Sequence, residues 1–298
     1  MKIIISLLLI IVLCGVAMCD SNTIPERNKN EVLVIGHRGN AKFCPENTMT
    51  SYKKAIDLGV DIVETDIRLT KDGIPIFCHD GNIDRISNGK GNICDKTIAE
   101  LRGYDFGYKE IFGDRYKNEP ILTLEEGLKY FKDKNASFLL EIKENCVIEL
   151  ATVLVKKIAT KKKNTKFLVW GLEDSKSIYK YLKGYDIYHL APIDGYLAAE
   201  DKDAYFKEMK AAGITGFSVN YGQLFGIEKE QRDVFLVLAA KYKMPVGVWT
   251  IDSTAEMNNA MNYIVKGVIK KKTYIGKIDM ITTNDPAKAI LLTGKQIK

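Results

Sequence analysis

Ile62-Val63-Glu64-Thr65-Asp66-Ile67 sets two acids inside a frame of β-branched apolar residues. Residues i and i+2 of a strand share a face, so Glu64 and Asp66 point the same way, into a closed sheet or toward a helix layer. Outward from this stretch, similar short runs recur at residues 32–35, 138–142, 167–170, 187–190, 216–219, 246–249 and 278–282, with segments of helical periodicity between most of them. Runs of this kind alternating with helices call for a parallel sheet with crossover helices. With residues 62–67 the runs number eight, the number that closes an α/β fold of the TIM (β/α)8 barrel type.

A further apolar run at residues 74–78 follows too closely for a crossover helix, since only Leu69-Thr70-Lys71-Asp72-Gly73 intervenes. Asp72-Gly73 is a hairpin-turn signal, so residues 68–79 are expected to form an antiparallel flap over the barrel mouth. Residues 81–119 are polar and glycine-containing, with a short helical hint at 98–101, and are expected to be a small insertion. Helical periodicity resumes at Thr123. Asn47 or Thr48 is expected to cap the first helix, with Met49, Tyr52 and Ile56 on one face and Gly59 at its end.

The chain has 298 residues and 46% hydrophobic content, enough for one large core, and no low-complexity linker divides it; residues 32–298 are expected to form one domain. Lys2, the apolar run at 3–13 and the small residues before Cys19 read as a secretory signal over residues 1–19, because a spanning helix needs about 20 apolar residues. A short uncleaved membrane anchor is the structural alternative. Val16-Ala17-Met18-Cys19 resembles the lipobox of bacterial lipoproteins, with Met18 where that pattern has a small residue. Residues 20–31 then form a polar linker. The expected location is exported: periplasmic, extracellular, or membrane-anchored through a lipid on Cys19. Cys44, Cys78, Cys94 and Cys146 remain, an even number that permits disulfides, although buried free thiols suit a chain with an ample core. The formal charge is +6. Its lysines are dispersed, as at Lys161 to Lys163 and Lys270 to Lys272, which read as solvated helix ends and argue against a nucleic-acid partner.

Two like charges at i, i+2 destabilise one another unless a cation or a shared proton intervenes. Leu139-Leu140-Glu141-Ile142-Lys143 repeats the pattern, adding a third carboxylate and a lysine. Three carboxylates, with no cysteine or histidine set at zinc spacing, favour one divalent cation, Mg²⁺ or Ca²⁺, on Glu64, Asp66 and Glu141. A structural ion-pair network among these acids and Lys143 is the alternative. Two of the three histidines, His37 after the first strand and His79 on the flap, lie on the same rim. Imidazoles there can serve as general acid and base in phosphodiester chemistry. His189, without acidic neighbours, reads as structural. Arg38 can offer a planar fork to phosphate oxygens, and Lys143 can stay charged by pairing with phosphate.

Taken together, His37-Arg38-Gly39, Pro45-Glu46-Asn47-Thr48, Glu64-x-Asp66, Thr70-x-Asp72-Gly73, His79-Asp80 and Leu140-Glu141-Ile142-Lys143 resemble the glycerophosphodiester phosphodiesterase family in order and spacing. Weaker matches follow at Val248-Trp249-Thr250 and Thr283-Asn284-Asp285-Pro286. The resemblance implies a TIM barrel with an insertion after strand two, His37 and His79 as acid and base, Glu64, Asp66 and Glu141 on the metal, and Arg38 and Lys143 on phosphate. It implies hydrolysis of small-molecule glycerophosphodiesters to glycerol 3-phosphate and an alcohol. Asp252 and Asn284 depart from the family, which has Asn and Asp respectively, and this bears on substrate contacts. The pattern does not fix the role of Glu46, which is expected to orient a histidine or the metal shell, with helix-start filler as the alternative. The sphingomyelinase D and lysophospholipase D branch, acting on lipids, is a more distant resemblance, weaker at Leu140-Glu141-Ile142-Lys143.

Overall fold

Alternation along each run decides which side chains face inward. In the computed structural model, which describes residues 16–18, 28, 31–131, 134, 136–143, 165–170, 182, 184–190 and 192–297, the runs form parallel strands. They are β2 (Leu33–Gly36), β3 (Ile62–Leu69), β5 (Ser137–Ile142), β6 (Thr165–Trp170), β7 (Asp186–Leu190), β8 (Gly216–Asn220), β9 (Val246–Trp249) and β12 (Met280–Thr283). Their order is β2-β12-β9-β8-β7-β6-β5-β3, and a β2–β3 pairing closes the circle. This is the expected eight-stranded barrel. Ile35, Ile62, Leu139, Leu168, Tyr188, Leu190 and Met280 fill its interior. Residues one step along, such as Val34, Val63, Leu140, Phe167 and Ile187, belong to a second, larger core. Glu64, Asp66 and Glu141 share the parity of Ile62 and Leu139, so they face the interior.

The helix Met49–Leu58 shows the local logic of the connections. Thr48 is its cap: its hydroxyl accepts from the Ser51 amide, and Gly59 closes the helix at a left-handed φ of 95°. Asn47, the other candidate, has φ 57° and turns its side chain toward β3 instead. β4 (Pro75–Phe77) pairs antiparallel with Ile67–Leu69 through the turn at Asp72-Gly73, where Gly73 has φ 73°. The flap therefore forms as expected. The insertion above it is more than a polar excursion, because Ile83, Ile86, Ile93, Leu101, Phe106 and Ile121 bury a small core of their own against Ile76 and Cys78.

Lys270 to Lys272 do not end a helix. They turn a β-hairpin of β10 (Ile264–Ile269) and β11 (Lys272–Lys277), with Lys270 and Lys271 at φ 48° and 65°. The hairpin lies on the helix Lys229–Tyr242, and Gly267 and Gly276 permit the approach: a Cβ on either would stand within 2.7 Å of Val237 or Leu236 atoms. Val16–Met18 (β1) pairs antiparallel with Gly267–Ile269. The rest of the apolar leader, Cys19, most of the linker, Cys146 and Lys161 to Lys163 lie outside the described residues. Cys44 and Cys78 are buried free thiols, as expected, but Cys94 is exposed. Among the described residues no helix is long and apolar enough to cross a membrane.

Phe77 anchors the flap: its ring stacks on Phe138, meets Tyr52 edge-on and fills the space that Gly127 leaves open. Phe77→Ala is expected to cost about 3–5 kcal/mol by opening a cavity, measured as a fall in the midpoint of denaturant unfolding.

Candidate active site

β2 ends at Gly36, so His37 and Arg38 leave the barrel at its C-terminal rim, where barrel active sites lie. Gly36 and Gly39 let the chain turn this tightly: a Cβ on Gly36 would meet the Gly39 carbonyl oxygen at 2.4 Å, and Gly39 has φ 93°. The Arg38 amide donates to Glu64 Oε2 at 3.0 Å. Its guanidinium lies 3.3 Å from Asp66 Oδ2 through Nε and 2.9 Å from Glu46 Oε1. Glu64, Asp66 and Glu141 are all buried and present ligand atoms within 4.8 Å of one another. Asp66 and Glu141 are direct partners across the β3–β5 ladder.

His37 and His79 line one cleft with Arg38, Glu64, Glu141 and Lys143, and Leu139, Leu168, Leu190 and Trp249 form its apolar wall. His37 Nε2 stands 3.9 Å from Glu64 Oε2, and its Nδ1 is 2.7 Å from Asn284 Oδ1. His79 follows β4, and its Nδ1 is 2.6 Å from Asp80 Oδ1. The sequence-predicted residues are thus brought together, and His189 stays apart, buried against Phe217.

Residues 37–273 match the family model described as the Glycerophosphoryl diester phosphodiesterase family. This chain belongs to that family. Membership makes it an enzyme of the phosphoric diester hydrolase class. It is 34% identical over 182 residues to the glycerophosphodiester phosphodiesterase of Caldanaerobacter subterraneus, covering 59% of this chain and 74% of that one. It is 36% identical over 120 residues to that of Bacillus subtilis, covering 38% of this chain and only 41% of the relative. Among solved structures, the Oleispira antarctica phosphodiesterase in complex with the product sn-glycerol-3-phosphate superposes with TM-score 0.70 at 22% identity, covering 88% of this chain and 97% of that one. The glycerophosphodiester phosphodiesterase of Thermotoga maritima gives TM-score 0.68 at 24% identity over 88% and 98%. At these identities the likeness is one of fold.

Electrostatics in this phosphodiesterase cleft divide the acids. Burial would raise Asp66, but Lys143 and Arg38 outweigh it and hold the carboxyl below its ordinary value. Lys143 Nζ is 2.9 Å from Asp66 Oδ1 and also bonds Glu141. Asn47 adds a hydrogen bond to Asp66 Oδ2 at 2.9 Å. Glu64 receives less support, and burial, then Asp66 and Glu141, push its carboxyl well above the ordinary 4.5. Its Oε1 is buried with no hydrogen-bond partner. An orphaned carboxylate oxygen beside two further acids fits a hard divalent cation. Burial and the neighbouring Arg38 lower His37 from 6.5 to about 4, so its imidazole is neutral at physiological pH.

Glu46, Asp80, Arg85 and Asn284 form a supporting tier behind the site. Glu46 is not helix-start filler, because it joins Arg38 to Arg85, whose NH1 and NH2 donate to its two oxygens at 2.7 and 2.8 Å. Arg85 Nε also donates to Asp80 Oδ2 at 2.7 Å. Burial opposes the ionisation of Asp80, but its bonds from Arg85 and His79 prevail and lower it to about 2. Asn284, expected to matter for substrate contacts, instead touches His37. Glu46, Asp80 and Asn284 stand inside the quoted motifs, whereas Arg85 lies outside all of them.

The raised Glu64 value has a definite sign. Its contribution to stability is fully present below about pH 4.5 and is lost as pH rises through the folded value, because the native state then holds a proton the unfolded chain has released. A divalent cation held by this cluster would replace that proton. The melting temperature difference between protein with and without Ca²⁺ or Mg²⁺ is therefore expected to widen as pH rises above 4.5. Calorimetry in chelator and in cation tests this, and Glu64→Gln should flatten the dependence.

Proposed function

We propose that the protein hydrolyses small-molecule glycerophosphodiesters to glycerol 3-phosphate and a free alcohol, with one divalent cation, Mg²⁺ or Ca²⁺, on Glu64, Asp66 and Glu141. The observation that carries this reading is the convergence of two imidazoles on one cleft above three buried carboxylates. The family and the product bound to the Oleispira protein support the substrate class. When bound, the cation would supply Lewis-acid polarisation of the phosphoryl oxygens.

His37, neutral because it is buried, takes the proton of the substrate's glycerol hydroxyl. That oxygen attacks phosphorus, a cyclic phosphate forms, and the bond from phosphorus to the departing alcohol oxygen breaks. His79, braced on Asp80, gives a proton to that oxygen. Water then opens the cyclic phosphate with the two proton transfers reversed, so one water is consumed overall and both histidines return to their starting states. Arg38 and Lys143 offset the charge of the phosphate oxygens.

We further infer export. Residues 1–19 act as the leader and 20–31 as a linker, before a barrel domain at 32–298 that carries the insertion at 81–119. The chain is then released to the periplasm or medium, or tethered through Cys19. Loss of the leader would uncover the edge of β10 that Val16–Met18 occupies. Mass analysis of the exported protein is expected to place the mature N-terminus at Cys19 or within a few residues of it, and an intact Met1 on exported protein would contradict this.

His37→Ala and His79→Ala are each expected to lower kcat on the order of 10²- to 10⁴-fold with cation binding retained, and together to lose less than the product of the singles. Asp66→Asn should weaken cation binding and nearly abolish turnover. The assay compares glycerophosphocholine, glycerophosphoethanolamine and lysophosphatidylcholine, with and without chelator. Near-normal kcat in folded His79→Ala, or full activity in chelator after dialysis, would overturn the mechanism. Preference for the lysolipid would redirect the substrate assignment.

A further inference from the structure

The loops after β9 and β12 carry a hydrogen-bonded pair that ends on His37. Asp252 Oδ1 accepts from the Thr283 hydroxyl and from the Asn284 backbone amide, each at 2.8 Å. Its Oδ2 accepts from Asn284 Nδ2 at 2.8 Å. A carboxylate has only acceptors to offer, so the NH₂ of Asn284 must face Asp252 and its carbonyl must face the imidazole. That carbonyl oxygen is 2.7 Å from His37 Nδ1. A carbonyl can only accept, so Nδ1 must carry the proton. The surrounding backbone fixes the arrangement: His37 N donates to Thr283 O at 2.9 Å, Lys42 N to Asn284 O at 3.1 Å, and Lys288 Nζ to Asp252 O at 2.8 Å.

We propose that Asp252 and Asn284 are positioning residues that set the tautomer of His37, keeping the proton on Nδ1 and the lone pair on Nε2 at the cleft. The proposal rests on the reading of His37 as a base, which needs that lone pair. Asp252 never touches the imidazole; it acts by fixing which way the Asn284 amide lies.

The polarity of the chain of bonds makes the substitutions predictable. In Asp252→Asn the new carbonyl keeps the Thr283 and Asn284 donors, so the new NH₂ takes the place of Oδ2. Two NH₂ groups would then face each other. The Asn284 amide turns over to relieve this, presents Nδ2 to the imidazole, and moves the His37 proton to Nε2. Exchanging both residues, Asp252→Asn with Asn284→Asp, restores an acceptor beside Nδ1: the carboxylate at 284 accepts from His37 and from the amide at 252.

The test is nitrogen-15 NMR of histidine-labelled full-length protein at neutral pH, where only three imidazoles contribute and the loss of one signal in His37→Gln assigns His37. Wild type and the exchange variant are expected to show Nδ1 protonated, and Asp252→Asn to show Nε2 protonated. In parallel, kcat of Asp252→Asn should fall on the order of 10²-fold with KM little changed, and the exchange variant should recover to within about tenfold of wild type. Retention of the Nδ1 proton in Asp252→Asn would overturn the relay. So would an Nε2 proton in a folded exchange variant, which decides the matter alone if the single variant does not fold. If the tautomer inverts while kcat holds, the relay stands and the assignment of His37 as base fails.

Discussion

Mutual repulsion among Glu64, Asp66 and Glu141 is the constraint around which the rim of the barrel is organised. Parity along β3 and β5 turns all three inward, and the ladder register sets Asp66 opposite Glu141. Below them the same face is filled by Ile35, Ile62, Leu139 and Leu168, so no water-rich interior dissipates the charge. Three cationic or donor groups, Lys143, Arg38 and Asn47, converge on Asp66. Glu64, with an orphaned oxygen, is left to hold its proton instead of its charge. A site built this way suits a hard divalent cation.

The two histidines share the cleft but not their supports. His37 is held from late in the chain, by Asn284, while His79 is held by Asp80 and through it by Arg85 of the insertion. Arg85 also grips Glu46, which bonds the guanidinium of Arg38. The insertion thus braces the His79 imidazole and the Arg38 guanidinium with a single side chain, and its own apolar core packs beside that side chain. Tyr108 contributes by lying 5.6 Å from the Arg85 guanidinium.

The strands and acids were legible in the sequence because a period of two puts the chemistry and the packing on the same readable pattern. The hairpin β10–β11 was not. Its turn has Lys270 and Lys271 at positive φ, where Asn-Gly would announce a tight turn. The second tier of the site was also hidden, since its partners are distant in the chain: Arg85 and Glu46 are separated by 39 residues, and His37 and Asn284 by 247. Local spacing carries no information about such pairs. The exchange of residue types at Asp252 and Asn284 relative to the family was visible, but its meaning depended on which one lay against the imidazole.

On the proposed reading, the cation replaces a proton on Glu64. Titrating the protein with Ca²⁺ or Mg²⁺ by calorimetry, in buffers of different ionisation enthalpy, measures protons released on binding. In mildly acidic solution above pH 4.5, where folded Glu64 still holds its proton, saturable binding should release about one proton, and the release should fade as pH rises through the folded value. An enthalpy that does not depend on the buffer across that range, or the absence of saturable binding, would contradict the account.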